Sequence, residues 1–122
     1  MAYTEVFEAL KGVLEPYVQR GLTVTADDET SYELVSMRPV EIEGRKMDRM
    51  YFVGIRNGKT AAVLHYFPIY CVDLAPKLDP ALRKLLKGKT CFNFKKIDEP
   101  LLQAVREALD IGFDAFREKG WL

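Results

Sequence analysis

His65 is the only histidine among 122 residues. A lone imidazole can act as a general base, but it excludes a His pair or a His-x-x-x-His metal site within one chain. Its simpler role is packing or hydrogen bonding at a sheet edge. From spacing alone no orienting carboxylate or nucleophile falls beside it, and Tyr66 and Cys71 are the nearest reactive partners in sequence. Cys71 and Cys91 lack a Cys-x-x-Cys pairing, so zinc, thioredoxin-like and haem chemistry have no support. In a reducing compartment they read as two buried free thiols, with a disulfide between them as the alternative. There is no Gly-x-Ser-x-Gly elbow and no glycine-rich phosphate loop, which removes the usual signs of a hydrolase or an NTPase.

Binding residues are easier to name than catalytic ones. Tyr51, Phe52, Tyr66, Phe67, Tyr70, Phe92 and Phe94 fall on strand-like segments, where a planar ligand could stack, although the core of the sheet is their simpler use. Charge divides sharply along the chain: residues 1–43 carry net −6, residues 44–97 net +9 and residues 98–122 net −3, giving a total of zero. Bulk attraction to nucleic acid or an anionic membrane is therefore not expected, and no RNA-recognition motif is present. The basic block holds Arg83, Lys84, Lys87, Lys89, Lys95 and Lys96, which could line an anion site or simply form a solvated helix face. Tyr51, His65 and Phe67 together with Arg83 and Lys87 form the candidate ligand-binding set. The acidic block offers Glu5, Glu8 and Asp27 as hard oxygen ligands for a cation, against the plain reading of surface carboxylates.

These residues must be held by one domain spanning residues 1–122, because the length suits a single core and needs no disulfide, metal or cofactor to fold. No apolar run reaches the ~20 residues needed to span a bilayer. The first residues, from Met1 to Glu5, lack the basic-then-apolar pattern of a secretory signal, so a cytoplasmic location is expected.

Val6, Phe7, Leu10, Val13, Leu14, Tyr17 and Val18 recur at helical spacing over residues 3–20, with Pro16 set to break the ladder near Leu14 and Gly21 to stop it. Leu22–Thr25 and Ser31–Met37 alternate as a first hairpin, and Val40–Glu43 reads as an edge strand. Asn57-Gly58 predicts a two-residue turn that would set Val53 opposite Ala62 and Met50 opposite His65. Both faces of that hairpin are largely apolar, so helices should cover one face and a further layer, a partner subunit or a ligand the other. Asp79-Pro80 and Gly88 bound a short helix, Thr90–Phe94 alternates as a strand, and Asp98 caps a last helix whose apolar stripe runs from Leu101 to Phe116. The expected fold is α+β: two layers, an antiparallel sheet packed against N- and C-terminal helices.

Two stretches carry a resemblance. Met50-Tyr-Phe-Val-Gly-Ile-Arg-Asn-Gly-Lys, followed by Leu86-Lys-Gly-Lys-Thr-Cys-Phe-Asn-Phe-Lys-Lys-Ile-Asp-Glu-Pro-Leu-Leu, resembles the YdhG-like family of small bacterial domains of unknown function, over about residues 45–118. Upstream, Tyr32 and Met37–Pro39 match the family's tyrosine and Met-Pro step loosely, with Arg38 intervening and Ser36 in place of glycine. The resemblance implies a compact α+β fold often compared with frataxin. It also implies iron as a cofactor to consider, held by carboxylates of the first helix and adjoining strand, where Glu5, Glu8 and Asp27 fall. The leading expectation is a non-enzymatic cytosolic module that binds a small molecule or a protein, self-association included. A frataxin-like iron-binding protein and an enzyme using His65 are the alternatives.

Overall fold

The computed structural model describes residues 3–42 and 44–122. Met1, Ala2 and Glu43 lie outside them, which takes in the first residues read for a signal and the expected last residue of the Val40–Glu43 strand. The fold is α+β, with a six-stranded antiparallel sheet and a helix at either end of the chain.

Helix α1 (Thr4–Leu14) buries Val6, Phe7, Leu10, Val13 and Leu14. Pro16 cannot donate to the helical ladder, and the chain tightens into a 3-10 turn over Glu15–Arg20 that ends at Gly21 with φ 104°. Strands β1 (Thr23–Asp27) and β2 (Ser31–Ser36) form the first hairpin. The expected edge strand instead pairs with its successor: β3 (Val40–Ile42) and β4 (Arg45–Met47) make a separate two-stranded ribbon. Strands β5 (Met50–Asn57) and β6 (Ala62–Tyr66) lie at the centre of the main sheet. A one-turn helix α2 (Pro68–Cys71) and a 3-10 turn at Ala75–Lys77 follow, neither anticipated from periodicity.

The helix expected from Asp79 to Gly88 lasts one turn. Asp79 caps α3 (Pro80–Arg83), its carboxylate accepting from Ala81 N, but Leu86–Lys87 then becomes β7, and Gly88, at φ 68°, sits in the turn before β8 (Cys91–Phe94) rather than at a helix stop. Leu86 pairs with Phe92 and Lys87 with Cys91, so sheet pairing overrides the local helical pattern. Asp98 caps α4 (Glu99–Glu118) through Leu101 N at 2.9 Å. Strand order is β1-β2-β5-β6-β8-β7.

The central hairpin departs from its expected register. Val53 pairs with Tyr66, Gly54 with His65 and Asn57 with Ala62, a shift of four residues. Asn57 belongs to the strand rather than the turn: its N–H donates to Thr30 O at 2.9 Å, and its buried Nδ2 donates to Thr4 Oγ1 at 3.2 Å. Gly58–Ala61 make the connection, closed by Gly58 N donating to Ala61 O at 3.0 Å. A Cβ on Gly58 would stand 2.7 Å from that oxygen, which explains the glycine without a positive φ. An even shift preserves which side chains share a face.

One face of the sheet is closed by α1 and α4. Phe7, Leu10, Leu14, Leu109, Phe113 and Phe116 pack there with Leu34, Phe52, Ile55, Leu64, Phe92 and Phe94 in one core. Between β2 and β5 the register skips Phe52, and Phe52 and Val53 are both fully buried in that core. Such a bulge puts two successive side chains to the same use and re-aims Tyr51 onto the opposite face.

Candidate functional site

Along β6 and β8 burial alternates, with fully buried residues toward the helices and half-buried ones on the other face. That second face carries Glu33 from β2, Tyr51, Gly54 and Arg56 from β5, Val63 and His65 from β6, and Cys91 from β8. They line a hollow of about 120 Å³ built wholly from strands.

Gly54 is its floor. A Cβ there would stand 2.1 Å from the Tyr51 hydroxyl and 3.1 Å from Glu33 Cγ, so only glycine lets the phenol lie across the strand. Sequence reasoning named Tyr51 and His65 but missed Gly54, Glu33, Arg56 and Cys91. An isolated glycine within an apolar strand is the signal that could have pointed to the place.

The rings form a connected row. Tyr51 and His65 have centroids 5.0 Å apart. Phe67 stands edge-on to both, at 6.0 Å from Tyr51 and 6.3 Å from His65. Tyr70, 60% exposed, stacks on Phe67 at 5.9 Å and lies under the Lys89 ammonium at 5.6 Å. A second hollow of about 280 Å³, with Met47 of β4 among its walls, shares Glu33 and Tyr51 with the first. The phenol therefore stands as a partition between the two.

Burial lowers the His65 pKa below 6.5; the Arg56 guanidinium acts in the same direction, and Glu33 opposes both. The imidazole is then mainly neutral at pH 7. Burial raises the Tyr51 pKa well above its ordinary 10.0, with the Glu33 carboxylate next in effect, so the phenol stays a hydrogen-bond donor. Among the described residues Arg56 is in no ion pair. Together these groups supply a neutral base, a phenolic donor, a carboxylate acceptor and a guanidinium around a ring-sized space.

Of the expected ligand-binding set, Tyr51, His65 and Phe67 come together. Arg83 and Lys87 do not join them: Arg83 ends α3, and Lys87 lies on edge strand β7, lining a different groove. His65 faces Gly54, not Met50. The reactive neighbours expected beside it also change. Tyr66 turns into the core, its hydroxyl donating to Ala108 O, and the cysteine across the strand pair from His65 is Cys91, while Cys71 lies on α2. Both thiols are free and half-buried, and burial raises the pKa of Cys71.

Glu5 and Glu8 sit exposed on α1, and Asp27 is ion-paired with Lys11 at 2.9 Å. Among the described residues no three His, Cys, Asp or Glu side chains gather as a metal site would require. No helix there is long and apolar enough to cross a membrane. No family model matches the chain, and neither does any curated protein or solved structure.

Proposed function

We propose that the chain is a cytosolic, non-enzymatic module that binds a ring-sized polar molecule on the open face of its sheet. The observation that carries this is the Tyr51 phenol laid over Gly54 beside His65 and Glu33, on a face that the helices leave uncovered. A hollow of about 120 Å³ is comparable to the ~150 Å³ engineered cavity that admits benzene. Arg56 at the site suits a carboxylate on the ligand, while Glu33 and the neutral His65 suit an N–H or O–H. The resemblance to YdhG-like domains supports a bacterial cytosolic setting.

The test is saturation-transfer NMR with benzoate and imidazole-4-carboxylate, comparing the native chain with Gly54→Ala. The added methyl displaces the phenol and fills the floor without straining the backbone, since Gly54 has no positive φ. Saturation transfer from the native chain to at least one probe, lost in the variant, is the expected result. Equal transfer from both proteins, or none from either, counts against the site.

A second reading is favoured by one observation: His65 lies in this hollow, where burial keeps its imidazole neutral and so able to accept a proton. If a bound compound is chemically converted and His65→Gln stops the conversion, the module is an enzyme.

A further inference from the structure

We infer that the groove between β7, β8 and the start of α4 is a second binding site, independent of the sheet-face hollow, and that it takes a soluble organophosphate of nucleotide size. Four lysines line it: Lys84 from the end of α3, Lys87 from β7, and Lys95 and Lys96 from the segment leading to α4. Leu85 and Leu101, both half-buried, provide an apolar floor beside buried Ala61. Among the described residues no acidic side chain lines the groove.

Three carboxylates close to the groove in sequence already have partners, while exposed Glu5 of α1 lines a separate hollow with Lys95 and Lys96. Asp98 caps α4 through Leu101 N, Glu99 pairs with Arg106 at 2.9 Å, and Asp79 caps α3. Among the described residues none of the four lysines is in an ion pair. Four ammonium groups in one groove, with Glu5 beside only two of them, repel one another, and a polyanion bound among them relieves that repulsion.

The volume, about 640 Å³, lies within the ~300–1,000 Å³ range of small-molecule clefts and far exceeds an inorganic anion. A simple anion would leave the leucine floor wet, and a neutral apolar molecule would leave four ammonium groups facing it. A ligand with an apolar or planar body and two or more phosphates satisfies both. Its body lies on Leu85 and Leu101, its phosphates reach the lysines, and the Thr60 hydroxyl and the Asn93 amide are placed to meet its polar edge.

Calorimetry and amide NMR on the full chain, with ATP and with inorganic pyrophosphate as probes, test this. ATP is expected to bind several-fold more tightly than pyrophosphate and to shift the amides of Leu85 and Leu101. The variant Lys95→Gln/Lys96→Gln removes two exposed charges and weakens ATP binding about tenfold. Gly54→Ala leaves it unchanged, so this site can stand or fall apart from the first. Lys84→Gln, on a separate element, weakens binding in the same direction and replaces the double variant if that one fails to fold. Equal affinity for ATP and pyrophosphate overturns the inference. So does displacement of ATP by polyglutamate or by phosphatidylglycerol vesicles at equal charge concentration, which would assign the groove to an acidic protein or a lipid surface.

Discussion

His65 shows how a residue's meaning depends on what faces it. In the expected register it opposed Met50 and had no polar company; four residues further along, it opposes Gly54, and the missing side chain there lets Tyr51 and Glu33 come in. Its chemistry was legible from its uniqueness in the chain, but its partners were not, because they come from strands far apart in sequence. The imidazole also gives a pH prediction. Its pKa is lowered in the folded state from 6.5, so between the folded-state midpoint and pH 6.5 the unfolded chain binds more protons than the native one. The His65 contribution to stability is therefore complete above pH 6.5 and is lost as pH falls through the folded midpoint. An NMR titration of the imidazole protons should show a midpoint below 6.5, and His65→Gln should flatten the acid-side fall in the urea midpoint. A midpoint at or above 6.5 would mean that Glu33 outweighs burial.

At the level of elements, punctuation read from sequence was reliable where the partner was local. Asp98 and Asp79 cap helices as their spacing implies, and Pro16 with Gly21 closes α1 where expected. Reading failed where a distant strand decided. Leu86–Lys87 carries a helical pattern but pairs with β8, and Asn57, a good turn residue, is held in β5 by Thr30 and Thr4. The local reading can be tested on α4, whose cap is a single side chain. Asp98→Ala should lower stability by about 1 kcal/mol, seen as a reduced urea midpoint with unchanged slope. An unchanged midpoint would show that α4 is held by its buried stripe alone, with the cap contributing nothing.

Across the whole molecule, the two-layer plan follows from the two helical stripes and the alternating strands, and it leaves one sheet face without a helix. The apolar character of both hairpin faces already implied something beyond the helices, though not its kind. The structure gives that face a row of rings, a glycine floor and two side chains of opposite charge, Glu33 and Arg56, while Met47 from the small ribbon lines one end of it. The segregation of charge is equally visible in the sequence, but its outcome was not. The acidic block is spread over α1 and the first hairpin, with Asp27 drawn to Lys11, whereas four lysines of the basic block share one groove.

The claim that the uncovered face is a small-molecule site is tested most directly by amide NMR of the full chain at pH 7, titrated with benzoate and imidazole-4-carboxylate and repeated at two protein concentrations. The account predicts that Tyr51, Gly54, His65 and Cys91 move together and saturate with ligand, with no dependence on protein concentration. If these amides stay still while others respond, or if they broaden with protein concentration alone, the face is no ligand site, and in the latter case it is the surface on which two copies meet.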